Sequence, residues 1–174
     1  EKVGKKTYVI INEANGLALD GNVNGAPQRD ARLKSPFLWT PVHSAANHQW
    51  VLKKAPLMAG HQQRVQIVNA STGQALDWNT PAAAQVSAAH PRVFMYAPHS
   101  TANNHTWILE LTANGKYLIK TGDGRMALDG NTNVPNVAPS HPAPFLYTPT
   151  PSAANHRWTI EKVGKRRYII TNEA

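Results

Sequence analysis

The sequence predicts an all-β fold, and three observations carry the prediction. The tripeptide Ala-Leu-Asp recurs at 18–20, 75–77 and 127–129. Asn-His-x-Trp keeps step with it, ending at Trp50, Trp107 and Trp158, so two unrelated markers share an interval of roughly 55 residues. Thirteen prolines and eleven glycines are scattered through the 174 residues, which leaves little room for long helices. Twelve short strands in an open sheet would leave unpaired edges that invite aggregation, so three such copies favour a closed, pseudo-threefold barrel. The expectation is a β-trefoil of three pseudo-symmetric, four-stranded repeats.

Each copy opens on a β-branched and aromatic run, Tyr8-Val9-Ile10-Ile11, Val65-Gln66-Ile67-Val68 or Tyr117-Leu118-Ile119-Lys120, which reads as a strand. Turn chemistry follows as Asn15-Gly16, Thr72-Gly73 or Asp123-Gly124, and then the Ala-Leu-Asp segment. After a Pro/Ala-rich stretch comes an aromatic patch ending in proline: Phe37-Leu38-Trp39-Thr40-Pro41, Phe94-Met95-Tyr96-Ala97-Pro98 and Phe145-Leu146-Tyr147-Thr148-Pro149. A closing strand such as His48-Gln49-Trp50-Val51-Leu52 completes the unit, with Trp50, Trp107 and Trp158 expected in the core. The repeats fall at about 1–54, 55–110 and 111–160, giving a single domain over 1–160.

Residues 161–174 match residues 1–14 at ten of fourteen positions, a partial fourth copy. With the barrel closed by three copies, only one of these segments pairs internally; the other packs outside, crosses to a neighbour or frays. A fragment of a longer tandem array and a strand-exchanged homo-oligomer are both open readings.

Composition narrows the function. Charged residues make up 16% of the chain and hydrophobic ones 41%, with no apolar run approaching the roughly 18 residues of a membrane span, so a soluble globular domain is expected. Cysteine is absent, which excludes disulfide frameworks, thiolate metal sites and cysteine nucleophiles. Glu1 opens the chain with no signal-peptide pattern, so neither a secreted nor a cytoplasmic location is selected. The formal charge of +8 suits anionic partners, yet the basic clusters Lys2, Lys5, Lys6 and Lys162, Lys165, Arg166, Arg167 have no interleaved aromatic platform, and no nucleic-acid partner is expected. No cofactor is implied. The aspartates recur once per copy instead of pairing across one bond, and no hydrolase or phosphate-loop motif is present, so binding is expected and not catalysis.

Ala-Leu-Asp followed some 27 residues later by Asn-His-x-Trp resembles the ricin-type β-trefoil lectins, whose repeats carry an early aspartate, an aromatic on a central strand and Asn-Gln-x-Trp near the end. The resemblance spans essentially residues 1–160, three times over. It implies three carbohydrate-binding trios: Asp20, Trp39 and Asn47; Asp77, Tyr96 and Asn104; Asp129, Tyr147 and Asn155. In such a site the carboxylate accepts from neighbouring sugar hydroxyls, the ring covers the apolar pyranose face and the asparagine adds a polar contact. Phe37, Phe94 and Phe145, two residues before the ring on the same strand face, are the other stacking candidates.

The family resemblance further implies galactose- or N-acetylgalactosamine-type ligands on glycoproteins or glycolipids. Single sites are expected to be weak, on the order of millimolar, with agglutination through multivalency. Two departures stand out. His48, His105 and His156 replace the family's glutamine, where a neutral imidazole supplies one donor and one acceptor; the alternative is that the three meet on the axis around a metal. Trp78 follows Asp77 where the other copies have glycine, and it either widens or obstructs the second site. The rival function is a trefoil, Kunitz-like protease inhibitor acting through an exposed loop, with Gln28–Lys34 and its Arg29 and Arg32 the segment to test. Asn69-Ala70-Ser71 and Asn104-His105-Thr106 read as glycosylation sequons.

Overall fold

The β-branched runs become strands, and the Asx-Gly and Thr-Gly pairs become the turns that end them. Gly16, Gly73 and Gly124 have φ of 66°, 68° and 75°, a backbone region costly for any residue with a Cβ, which explains the glycine in each copy. The computed structural model describes residues 7–21, 36–54, 62–78, 91–131 and 143–163. Among these the strands are β1 (Thr7–Asn12), β2 (Ala18–Asp20), β3 (Phe37–Trp39), β4 (Trp50–Lys54), β5 (Gln63–Asn69) and β6 (Ala75–Asp77), followed by β7 (Phe94–Tyr96), β8 (Trp107–Leu111), β9 (Tyr117–Thr121), β10 (Ala127–Asp129), β11 (Phe145–Tyr147) and β12 (Arg157–Val163). Helical structure among the described residues is limited to single 3-10 turns at Ala46–His48, Asn103–His105 and Ala154–His156.

Antiparallel pairing runs β1 to β4, β5, β8, β9, β12 and back to β1, which closes a six-stranded barrel. Closure leaves these strands no edge to mispair. Three short hairpins, β2–β3, β6–β7 and β10–β11, hang from β1, β5 and β9. The duplicated segment begins inside β12: Glu161–Val163 pair with Val9–Thr7. Its remaining residues, 164–174, lie outside the described residues, as do Gln28–Lys34 and the basic positions Lys2, Lys5, Lys6, Lys165, Arg166 and Arg167.

One apolar cluster fills the barrel and the underside of the hairpins, including Ile10, Leu19, Leu38, Leu76, Met95 and Leu146. Trp50, Trp107 and Trp158 are fully buried in it. Each indole N–H donates to the carbonyl of the leucine in Ala-Leu-Asp, Leu19, Leu76 or Leu128, at 3.0, 2.9 and 3.0 Å. That bond joins the two sequence markers of each copy and satisfies the buried donor.

Neighbouring copies are locked by a recurring side-chain wedge. Asn12, at the end of β1, donates Nδ2–H to Asn155 O at 2.7 Å, and Asn69, at the end of β5, donates to Asn47 O at 2.7 Å. Each presses on the glycine after an aspartate: a Cβ on Gly130 would lie 2.4 Å from the Asn12 amide, and one on Gly21 would lie 2.3 Å from that of Asn69. At the third junction both partners change. The residue ending β9 is the smaller Thr121, and Trp78 stands where the glycines stand, its backbone N–H keeping the bond to Asn104 O at 3.0 Å. The Trp78 indole packs against the core and donates to Thr106 O at 3.0 Å. Trp78 is thus tied to the closing segment of its own copy and to the core.

Candidate functional site

The hairpin register sets the face on which each candidate side chain lies. In β2–β3, Leu19 pairs with Leu38, Asp20 with Phe37 and Ala18 with Trp39. Strand alternation sends the two leucines into the core and leaves the aspartate and both rings on the opposite face. The other hairpins repeat the pattern, with Asp77 opposite Phe94 and Asp129 opposite Phe145.

Of the two aromatic candidates per copy, the structure separates inner from outer. Phe37, Phe94 and Phe145 are buried. Trp39, Tyr96 and Tyr147 keep 44%, 55% and 41% of their surface in solvent. Phe37 lies edge-on to Trp39 with centroids 6.2 Å apart, so the inner ring backs the outer one. Only the outer ring is accessible for stacking.

The aspartate and asparagine of each trio are in direct contact. Asn47 Nδ2 donates to Asp20 Oδ1 at 2.8 Å, Asn104 to Asp77 at 2.8 Å and Asn155 to Asp129 at 2.7 Å. The 3-10 turn makes this possible by aiming two successive side chains, the asparagine and the histidine, at one carboxylate. His48 and Gln49, expected in the closing strand, therefore precede it; β4 starts at Trp50.

Each histidine is a two-ended clamp. Its Nδ1 accepts a backbone N–H, from Val42, His99 or Thr150, at 3.0 Å in all three copies. An Nδ1 that accepts carries no proton, so the hydrogen is on Nε2, which donates to Oδ2 of Asp20, Asp77 or Asp129 at 3.0, 3.2 and 3.0 Å. The three imidazoles, each about 2% exposed, serve their own copies, and no metal-binding cluster occurs among the described residues. The histidine thus fills the expected clamp role, with the added function of holding the acid.

Burial of the carboxylates, 3%, 8% and 3% exposed, is compensated by these donors. Asp129 has a third, the backbone N–H of Asn131 at 2.7 Å to Oδ1. A carboxylate offers about four acceptor positions, so one remains, on Oδ2. Asp129, Tyr147 and Asn155 line a depression of about 290 Å³ together with Asn131 and Thr150. Asn131 and Thr150 escaped the sequence reading. The signal for the first was present as Asp-x-Asn in every copy, Asn22, Asn79 and Asn131, of which the first two lie outside the described residues.

Of the two sequons, Asn69 is fully buried and Asn104 is half-buried with its amide on Asp77. No helix among the described residues is long and apolar enough to cross a membrane.

No protein-family model matches the chain, and no curated protein matches it in sequence. Solved structures do. A designed threefold-symmetric protein, ThreeFoil, is 25% identical with a TM-score of 0.63, over 88% of this chain and 96% of its own. The BEL β-trefoil is 14% identical with a TM-score of 0.61, over 91% of this chain and 93% of its own. A lectin of Polyporus squamosus, solved with the epitope Neu5Acα2-6Galβ1-4GlcNAc, is 17% identical with a TM-score of 0.60, over 93% of this chain. This chain spans 50% of that lectin, and 18% of a mosquitocidal holotoxin it also resembles. These likenesses establish the β-trefoil fold.

Proposed function

We propose that the chain is a non-enzymatic, multivalent lectin of the ricin-type pattern, a three-repeat trefoil over residues 1–160 with a partial fourth copy, binding galactose- or N-acetylgalactosamine-type glycans at up to three sites. The observation that carries the reading is the triple recurrence of a buried carboxylate, gripped by asparagine and histidine, on the same hairpin face as a solvent-exposed ring. A fold needs no exposed tryptophan or tyrosine beside a buried acid, and three copies of the arrangement suit a repeated ligand.

The chemistry differs in detail from a bare acid gripping two hydroxyls. At the third site the protein fills three of the carboxylate's acceptor positions, so one hydroxyl donates to Oδ2 of Asp129. Asn155, fixed by the acid, presents its second N–H and its carbonyl oxygen, and Tyr147 covers the C–H face. The Polyporus lectin, half of which this chain matches in fold and which was solved bound to a galactose-containing epitope, supports this reading.

The test is a glycan array with the parent protein and with the ring variant Trp39→Ala/Tyr96→Ala/Tyr147→Ala. The exposed rings are chosen because their loss leaves the core intact. Galactoside binding by the parent and its loss in the variant is expected; unchanged binding by the variant refutes the assignment.

A further inference from the structure

The three sites repeat their acid, amide and imidazole, yet they differ at one position that the clamp holds in place. Three residues after each exposed ring stands Val42, His99 or Thr150. The backbone N–H of each donates to the same imidazole whose other nitrogen holds the aspartate. One buried ring therefore fixes this residue relative to the acid, and it does so with the same 3.0 Å bond in every copy. All three side chains are exposed. At the third site the residue is at the depression itself, since Thr150 shares its wall with Asp129, Tyr147 and Asn155.

We propose that this position sets the ligand preference of each site, so that the three sites are chemically unequal; the proposal rests on the sugar-binding reading above. Thr150 Oγ1 donates to Thr148 O at 3.2 Å, which turns its hydroxyl into an acceptor for a sugar hydroxyl at the rim. Val42, 44% exposed, offers only apolar surface and favours a saccharide edge bearing a methyl or a C–H face. His99 offers a ring nitrogen, with its Nδ1 3.2 Å from Thr101 Oγ1 and its carbonyl taking Gln66 Nε2–H at 2.8 Å. A rigid backbone under a variable side chain is the arrangement that discriminates between ligands without moving the shared contacts.

The experiment uses single-site proteins. With Trp39→Ala and Tyr96→Ala only the third site keeps its ring; with Tyr96→Ala and Tyr147→Ala only the first does. Each is titrated with galactose and its monodeoxy analogues, before and after Thr150→Val or Val42→Thr. Thr150→Val is expected to weaken galactose by roughly three- to tenfold, the worth of one hydrogen bond, and to leave unchanged the one analogue that lacks the contacted hydroxyl. Thr150→Ser restores galactose, and Val42→Thr confers the same discrimination on the first site. Affinities that ignore residues 42 and 150 across the panel, in proteins that do bind galactose, overturn this proposal alone. No binding of any sugar by the parent overturns it together with the lectin reading.

Discussion

Replacing His156 tests the clamp most directly, because the imidazole has two bonds and each leaves a different partner behind. In His156→Ala, Asp129 Oδ2 loses its N–H donor and the Thr150 backbone N–H loses its acceptor. The ring is about 2% exposed, so water does not readily replace either bond. A backbone N–H left unpaired costs about 1–3 kcal/mol, and a carboxylate oxygen costs somewhat more, giving about 3–5 kcal/mol together. With a urea dependence of about 2 kcal/mol per molar, the unfolding midpoint falls by roughly 2 M. His156→Gln keeps one donor and one acceptor on a side chain of similar reach, so it costs about 1 kcal/mol or less. Urea titrations followed by the fluorescence of the buried tryptophans distinguish the two. Equal midpoints for the alanine and glutamine variants, or an alanine variant within 1 kcal/mol of the parent, refute the two-ended clamp.

Gly130→Ala is expected to destabilise by about 1–3 kcal/mol, because its Cβ would stand 2.4 Å from the Asn12 amide that locks the first copy to the third; thermal unfolding checks this, and an unshifted midpoint counts against the wedge. Glu13 is held below its usual carboxylate range chiefly by the hydrogen bond from Arg157, with burial opposing and the charges of Arg157 and Lys116 assisting. The folded-state value is the depressed one, so this stabilisation is complete above about pH 4.5 and is lost as pH falls through the folded value. The pair is partly exposed and worth about 1 kcal/mol or less, and Glu13→Gln should remove that acid-side slope in stability measured between pH 5 and 3.

Much of this molecule is readable from spacing, because spacing reports what repeats. Ala-Leu-Asp and Asn-His-x-Trp are two halves of one contact, since Trp50, Trp107 and Trp158 donate to the leucine carbonyls of the first marker. The turn glycines were legible for an equally local reason: a left-handed φ at Gly16, Gly73 and Gly124 is a demand of the turn itself. The aspartate and asparagine of each trio, separated along the chain, are joined by a hydrogen bond in the fold.

What spacing left undecided depends on atoms brought by distant segments. Phe37 and Trp39 share a face by alternation, and only packing from the rest of the fold covers one and leaves the other in solvent. The exchange of glutamine for histidine is visible in the chain, but the proton's position on Nε2 follows from where the Val42, His99 and Thr150 amides arrive. Trp78 drew notice because of its sequence neighbour Asp77; that its indole donates to Thr106 O, 28 residues on, is decided by the tertiary structure. Local backbone preference and periodicity are encoded residue by residue, whereas exposure, tautomer and partner choice are properties of contacts between segments, and those exist once the barrel has closed.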